Sequence, residues 1–210
     1  MMETNLVAPW PSRAKRDEER RSRGASVLLT AVHLFNEKGF NATSLDDVAA
    51  RLNVTKPIIY RHFSSKDQIL FECVRMGLDQ VREATAAVAG SPGTGLDRLA
   101  ALLRRYAEIM TMDFGICVIR TGDHELRPES RSRFRKLKTE IDATICEIIE
   151  EGIADGSIDA RNVRLTAFAA TCTLDGIARW YDPAGPNSPE EIADFFVNFI
   201  VRGIAPRLSS

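Results

Sequence analysis

The chain has few residues of the kinds that bind metals or form disulfides. It contains four cysteines and three histidines among 210 residues. The cysteines stand singly, with no C-x-x-C pair, as Cys73, Cys117, Cys146 and Cys172. This pattern gives no signal for a disulfide framework or a zinc site. We therefore expect mostly buried thiols, no bound metal and no cofactor.

The chain also lacks long apolar runs and any stretch with strand periodicity. No apolar run reaches the roughly 20 residues that cross a bilayer, and Met1 is not followed by a signal sequence. We expect a cytoplasmic protein without a membrane partner. Apolar residues recur instead at helical spacing along the whole chain, which predicts an all-α fold.

Charge is nearly balanced overall but divided along the chain. The net charge is −1, whereas residues 1 to 75 carry 12 Lys or Arg against 9 Asp or Glu. The remainder carries 16 against 20, so a basic first part precedes an acidic second part. This sign is the one expected for a phosphate-facing domain joined to a second, acidic domain.

The stretch from 43 to 63 predicts two short helices joined by a tight turn. Ser44 is a favourable N-cap, and Asp47 lies three positions later to complete a capping box. Asn53 would end the first helix, because Asn tolerates the left-handed backbone that an immediate restart requires. Thr55 would cap the second helix, with a proline in its first turn.

The second of these helices has an unusual outer face. Val54, Ile59 and Phe63 would face inward, which leaves outside a mixture of residues: Lys56, Pro57, Ile58, Tyr60, Arg61 and His62. Cations can reach phosphates or guanine edges, and apolar groups can meet thymine methyls, so this mixture suits the DNA major groove. The alternative is an ordinary helical hairpin in an interaction module that does not bind DNA.

The same region resembles the amino-terminal domain of TetR-family transcriptional regulators. The resemblance is carried by the A-x-x-L-F of Ala31, Leu34 and Phe35, by Gly39-Phe40, Thr43-Ser44, Val48-Ala49 and Val54-Thr55-Lys56-Pro57, and by Tyr60, His62, Phe63 and Lys66. Asn53 departs from the family, in which Gly is common. The resemblance implies contacts to double-stranded DNA from Thr43, Ser44, Thr55, Lys56, Pro57, Ile58, Tyr60, Arg61, His62 and Lys66.

Lys66 lies in the first turn of the next helix, after the N-cap Ser65 and its partner Gln68. A helix dipole disfavours a cation at this position. A DNA phosphate would compensate, since it is attracted both to the helix N-terminus and to the ammonium group. In the resembled family a lysine at this position contacts a backbone phosphate.

Three domains are predicted. Residues 1 to 23 form a disordered or helical basic arm, with disorder expected for 1 to 12. Its cations either belong to a solvated helix start or touch DNA. Residues 24 to 70 form the helix-turn-helix domain. Residues 71 to 210 form a ligand-binding and dimerisation domain.

The second domain is predicted to be entirely helical. A long helix runs from Ser65 towards residue 88, and the glycine-rich stretch from Gly90 to Gly95 follows it. Further helices are expected at Leu96 to Met112, Phe114 to Thr121, Pro128 to Glu151, Arg161 to Tyr181 and Pro189 to Arg202. The helix at 161 to 181 is expected to be apolar at Leu165, Phe168, Cys172, Ile177 and Trp180.

The last two helices carry more apolar surface than one core needs, and the first of them is rich in small residues. We therefore expect a homodimer in which they form a four-helix bundle with their mates, using Phe195, Phe196 and Phe199. The family resemblance implies the same. Two recognition helices spaced by roughly 34 Å would then read a palindromic operator.

An effector pocket is the remaining expectation for the second domain. Candidate lining residues are Tyr106, Met110, Phe114, Cys117, Phe168 and Cys172, whose mixture suits an adaptable pocket or an ordinary core equally well. The resemblance implies a small-molecule pocket and, by family default, repression.

Two effector classes remain open. The segment from Trp180 to Pro186 resembles the C-terminal region of TetR-type regulators that sense acyl-CoA thioesters. A cluster of cations either binds CoA phosphates or forms a solvated helix face: Arg127, Arg131, Arg133, Arg135, Lys136 and Lys138. A multidrug-type apolar pocket in a regulator of efflux is the competing class.

An enzyme is a weaker alternative. Asp123-His124-Glu125 could suggest acid-base chemistry, but no nucleophile or metal-ligand spacing accompanies it. A surface histidine explains this tripeptide better, and we predict that the protein is not an enzyme.

Overall fold

The computed structural model describes residues 13–206, which form ten α-helices, one short 3-10 turn and no strand. The all-α prediction is confirmed. The helices are α1 (Arg13–Lys38), α2 (Leu45–Arg51), α3 (Lys56–Tyr60), α4 (Lys66–Val88), α5 (Gly95–Ile109), α6 (Asp113–Arg120), α7 (Pro128–Ala154), α8 (Val163–Asp175), α9 (Ile177–Trp180) and α10 (Pro189–Ile204), with the 3-10 turn at Asp123–Glu125. The disorder predicted for residues 1 to 12 falls outside the described residues.

The first three helices pack into a small head together with the start of α4. Val27, Leu28 and Phe35 of α1 are buried against α2 and α4. Gly39 ends α1 with a φ of 85°, which an L side chain rarely adopts. Phe40 then folds back so that its ring lies 5.4 Å from the ring of Phe35, centroid to centroid. Gly39 and Phe40 therefore form a defined end to α1.

Helix α4 is the central element of the fold. It begins in the head and then packs against α5, α6 and α7. Gly77 lets α4 and α6 approach closely, because a Cβ there would lie 2.5 Å from the carbonyl oxygen of Phe114. The two halves of the protein therefore share one continuous helix.

The body is built from α5 to α10 around an aliphatic core. Helix α5 lies between α4, α7 and α10, and its Leu99, Leu102 and Leu103 are completely buried. Ile145 and Ile149 of α7 are completely buried as well. Apolar residues at helical spacing thus face the core in both helices, although Leu137 of α7 is only half-buried.

The prediction of one continuous helix at 161 to 181 was wrong. The structure divides it into α8 and α9, separated by Gly176. The side chains that α8 buries are Ala167, Ala170, Thr171 and Leu174. Leu165 and Phe168 are exposed instead, at 64% and 41%, and so are Cys172 and Trp180. Of the five apolar residues named for this stretch, only Ile177 is buried, so most of them face away from the core of their own chain.

Candidate nucleic-acid interface and effector cavity

The turn between α2 and α3 forms as predicted. The amide of Asp47 donates to Ser44 Oγ at 3.1 Å, and the amide of Ser44 donates to Asp47 Oδ2 at 2.7 Å. The hydroxyl of Ser44 also donates to Asp47 Oδ2, at 2.6 Å. The hydrogen bond from this hydroxyl, and then the one from the Ser44 amide, lower the pKa of the Asp47 carboxyl. Asn53 has a φ of 53°, the left-handed conformation expected where one helix stops and the next begins. Capping and turn chemistry therefore hold α3 at a defined angle.

Helix α3 is anchored by one side and exposed on the other. Ile59 and Phe63 are buried in the head. Tyr60 is 49% exposed, Pro57 and Arg61 are exposed, and the others are half-buried: Lys56, Ile58 and His62. Thr55 occupies the N-cap position but makes no side-chain cap hydrogen bond, so the capping predicted for its hydroxyl does not form. The outer face is thus available to a macromolecule.

Thr43 does not belong to this face, and its predicted DNA contact is corrected. Its side chain is buried, and Oγ1 lies 3.2 Å from the carbonyl oxygen of Leu34 and 2.9 Å from that of Gly39. The hydroxyl therefore satisfies the carbonyls at the end of α1. Ser44 is exposed beside it, although its hydroxyl is engaged in the α2 cap.

Two lysines flank the exposed face of α3. Lys56 Nζ lies 2.9 Å from Asp46 Oδ2, and this hydrogen bond raises the lysine pKa. The side chains of Lys56 and Asp46 are 41% and 70% exposed, so this ion pair is weak and can be exchanged for a phosphate. Lys66 Nζ lies over the ring of Phe40, 4.1 Å from its centroid, and burial lowers its pKa. A phosphate here would restore the charge stabilisation that Lys66 loses by desolvation.

Polar contacts connect the head to the body. Arg120 of α6 donates to the carbonyl oxygens of Asn36 in α1, at 3.2 Å, and of Ala178 in α9, at 2.9 Å. Asp67, next to Lys66, accepts from the amide of Arg127 at 2.8 Å and from the hydroxyl of Ser130 at 3.0 Å. These hydrogen bonds join α6 to α1 and α9, and the start of α7 to the start of α4.

A small cavity lies in the body beside α4. Its volume is about 20 Å³, far below the several hundred Å³ of typical ligand sites. Tyr106 and Met110 of α5, two of the predicted pocket residues, line it. The other walls come from α4, α6 and α7: Gly77, Leu78, Val81, Val118, Ile119, Lys138, Ile141 and Asp142. The hydroxyl of Tyr106 donates to Asp175 Oδ1 at 2.7 Å, so the tyrosine is held in place.

The other four predicted pocket residues do not line this cavity. Phe114 is half-buried, and Cys117 is buried in the core of the protein. Phe168 and Cys172 point outward, so their predicted place in the same pocket was wrong. Phe168 lines a separate surface groove of about 270 Å³ with Asp142, Cys146 and Arg164. The residues that sequence periodicity missed are those of α4 and α6, because no local pattern indicates which helices meet at a cavity.

A polar groove of about 560 Å³ adjoins the cavity and shares Val118, Ile119 and Lys138 with it. We call it the α6–α7 groove. Cations lie along it as Arg135, Lys138 and Arg179, with the carboxylates of Asp123 and Asp175. Arg135 pairs with Asp123 at 2.6 Å, and this contact lowers the pKa of Asp123. The groove thus combines an apolar inner end with a cationic rim.

The remaining cations of the predicted cluster are placed differently. Arg131 donates to the carbonyl oxygens of Asp123, His124 and Leu126 and so holds the 3-10 turn. Arg133 lies over the ring of Phe71 at 4.3 Å. The side chains of Arg127 and Lys136 are exposed, and neither lines the groove.

An apolar face on α8 and α10 is uncovered. Phe195 and Phe199 are 68% and 67% exposed, and Leu165 lies beside them along a groove of about 870 Å³. Phe196, the third predicted interface residue, is half-buried against the core, and its ring centroid lies 6.3 Å from that of Trp180. Contiguous exposed apolar surface of this kind is typical of protein interaction sites.

Within residues 13–206, no helix is both long enough and apolar enough to cross a membrane.

The fold and these surfaces define a DNA-binding regulator that has a helix-turn-helix head and a helical ligand-binding body. Residues 27–73 match the family model described as bacterial regulatory proteins, tetR family. Residues 92–204 match the model described as tetracyclin repressor-like, C-terminal domain. The chain belongs to the TetR family, whose members are transcriptional regulators and not enzymes.

Individual relatives agree with this assignment. The HTH-type transcriptional repressor KstR2 of Mycolicibacterium smegmatis is 27% identical over 188 residues, which cover 87% of this chain and 91% of that protein. The HTH-type transcriptional activator FasR of the same organism is 21% identical over 196 residues, covering 92% and 86%. The crystal structure of AibR in complex with isovaleryl coenzyme A and operator DNA superposes with a TM-score of 0.75 at 25% identity, covering 84% and 97%.

Proposed function

We propose that this TetR-type regulator is a repressor, which binds a palindromic operator as a homodimer and is released by an acyl-CoA thioester. The observation that carries the proposal is the exposed, cationic and aromatic face of α3 on a chain whose α8 and α10 leave an apolar face uncovered. A cytoplasmic location follows from this role. The domain division at residue 70 falls inside α4, so we propose a mechanical link between the domains at that point.

Double-stranded DNA fits the outer face of α3. Tyr60 and Ile58 offer apolar contact to thymine methyls, while Lys56 and Arg61 can reach phosphates or guanine edges. Lys66 lies at the N-terminus of α4, where the amide groups and the ammonium both attract a phosphate. The second copy of α3 needed for a palindrome would come from a dimer built on Phe195 and Phe199.

Replacing Lys66 with alanine should weaken operator binding about tenfold and lower the salt dependence by about one unit of slope per protomer. The reason is that one phosphate contact is lost in each half-site. The measurement is a series of mobility shifts with the chain's own upstream DNA at several salt concentrations.

Lys136→Ala is the matched control, because Lys136 is an exposed cation on α7 that lines neither α3 nor the α6–α7 groove. If Lys66→Ala binds like Lys136→Ala, the phosphate contact is refuted. If the parent protein itself forms no salt-sensitive complex with DNA, the proposed DNA binding is refuted. The protein would then be a helical interaction module that does not bind DNA.

An acyl-CoA thioester suits the cavity and the α6–α7 groove together. The acyl group would enter the apolar cavity beside Met110, and the CoA phosphates would meet Lys138 and Arg179 at the rim. AibR, which was crystallised with isovaleryl coenzyme A and operator DNA, supports this class of effector.

Filling the cavity also provides the coupling to DNA. A space of about 20 Å³ cannot hold an acyl chain unless its walls move, and Leu78 and Val81 of α4 are among those walls. Because α4 also carries Lys66, displacement of its middle would reposition the head. A coupling free energy of about 1 to 3 kcal/mol is typical of such effects.

A thermal-shift screen tests the effector class. A ligand present at about 100 times its Kd stabilises the folded state by roughly 2.7 kcal/mol, which for a chain of this size raises Tm by roughly 5 to 10 °C. We expect such a shift with acyl-CoA thioesters, together with release of the operator, and no shift with the corresponding free acids. The charge reversal Lys138→Glu should abolish the shift, whereas Lys136→Glu should retain it.

A multidrug-sensing regulator of an efflux gene is the second candidate. Asp142 lines the cavity and Asp175 lines the groove, and burial raises the pKa of both carboxyls. Carboxylates in an apolar site suit a cationic ligand. A Tm increase with drug-like cations and none with acyl-CoA thioesters would favour this candidate.

We propose repression because it is the default in the family and because the KstR2 relatives are repressors. FasR, which is also similar in sequence, is an activator. A promoter-reporter fusion decides between them. Deletion of the gene should raise reporter expression if the protein represses, and should lower it if the protein activates.

A further inference from the structure

Helix α1 extends well beyond the part that packs in the core. Its first buried residue is Val27, and the preceding turns from Arg13 to Arg23 are exposed. These turns run past the end of α3 and form a groove of about 360 Å³, which we call the α1–α3 groove. Its lining residues are Asp17, Arg20, Arg21, Gly24, His62 and Phe63. A Cβ at Gly24 would lie 3.6 Å from His62 Nδ1, an ordinary contact distance, so α1 lies directly beside His62.

The groove concentrates positive charge that the described part of the chain does not compensate. Arg20 and Arg21 line the groove together with His62, and neither arginine forms an ion pair with any residue in 13–206. Many arginines of the body are paired with carboxylates, as Arg98 is with Glu151 at 2.7 Å. Asp17 is the one acid among the lining residues of the groove. Uncompensated charge of this kind is expected where an anion binds.

We propose that the α1–α3 groove binds a backbone phosphate of the operator, flanking the bases that α3 reads. The inference rests on the proposed DNA-binding function. The groove begins at His62, directly after α3, so a duplex that engages α3 continues past the groove along its phosphate backbone. Arginine guanidinium groups can bind phosphate oxygens in a bidentate manner, and such contacts fix the register of a protein on DNA without reading its sequence.

The state of His62 adds a pH dependence with a defined sign. Burial, and then the charges of Arg20, Arg23 and Arg61, lower the pKa of the imidazole in the free protein. Asp17 and Arg21 of α1 also face the groove. A bound phosphate would offset the arginines and raise this pKa, so the complex would bind more protons than the free protein. Operator affinity should therefore fall as pH rises from about 5.5 to about 7.5.

The double substitution Arg20→Ala and Arg21→Ala tests the site, since both arginines line the groove. Both positions are exposed in a helix in which alanine is favourable, so the head should stay folded. We expect operator affinity to fall at least about tenfold, and the salt slope to fall by about one unit in each protomer, because one phosphate contact is lost there. The loss should be equal for operator and unrelated duplex. Affinity and slope indistinguishable from those of Lys136→Ala would overturn the proposal.

Truncated DNA and pH provide the independent measurements. Shortening the duplex so that it ends at the α3 contacts should weaken the parent protein but not the double variant. If the shorter duplex weakens binding equally for both proteins, the arginines do not contact the phosphate that flanks the α3 contacts. The pH dependence of operator affinity should disappear in His62→Gln. It should disappear in the double variant as well. An unchanged pH profile in either variant contradicts the role of His62. Absence of any salt-sensitive complex with the parent protein would instead refute DNA binding itself.

Discussion

A chain carrying Phe195→Asp and Phe199→Asp is expected to be monomeric and to lose tight operator binding. Each ring is about two-thirds exposed on α10, and in a two-fold symmetric dimer each substitution would act twice. Four carboxylates in an apolar interface should raise the dimer Kd at least about 1000-fold, roughly 4 kcal/mol. The operator would then be bound by single heads that have lost the advantage of two linked half-sites. Sedimentation and mobility shifts measure both effects.

Leu29→Asp is the matched control for this experiment. Leu29 is 47% exposed on α1, so the substitution adds the same charge to an exposed apolar position away from α8 and α10. This variant should remain dimeric. A double variant that stays dimeric would show that α8 and α10 are not the dimer interface, and a monomer with parental operator affinity would refute the two-headed mode of binding.

Gly77→Ala should destabilise the protein and weaken operator binding. The new Cβ would lie 2.5 Å from the carbonyl oxygen of Phe114 and 2.6 Å from Val118 Cγ2, and the former belongs to a backbone that cannot rotate away. Helices α4 and α6 must separate, at a cost of about 1 to 3 kcal/mol in the free energy of unfolding. Since α4 carries Lys66, operator affinity should also fall, by about tenfold for a coupling in the usual range.

Gly24→Ala is the control for the stability of this variant. It is also a helical Gly→Ala change, but its Cβ would meet His62 Nδ1 at an ordinary 3.6 Å, so the variant should be as stable as the parent or more stable. Thermal and urea unfolding compare the two. If Gly77→Ala unfolds like the parent protein, the close α4–α6 approach is not rigid and the proposed coupling through α4 loses its support.

The helix-turn-helix could be predicted from sequence because its determinants are local. The capping box of Ser44 and Asp47, and the left-handed Asn53, act between residues only a few positions apart. The burial of Ile59 follows from helical spacing alone. Thr43 was predicted wrongly, since its carbonyl partners at Leu34 and Gly39 are defined by how α1 ends against α2.

The second domain shows where periodicity fails. In α8 apolar residues recur at helical spacing, and Phe168 and Cys172 were predicted to line an inner pocket. Leu165 and Phe168 face outward instead, while the small Ala167 and Ala170 face α5 and α7. Spacing identifies an apolar face but not the surface that covers it, and a helix with two apolar faces can place either one against its own core.

By itself, the sequence determined that this chain is all-α, that it carries a helix-turn-helix and that α3 presents Lys56, Tyr60 and Arg61 outward, because capping, turn chemistry and helical spacing act over a few residues. Only the tertiary structure decided that Phe168 and Cys172 lie outside the cavity, that α4 and α6 help to form its walls, and that the start of α1 lies beside His62. These features depend on how helices distant in sequence cross, which is set by the packing of many side chains at once and leaves no pattern in any single segment.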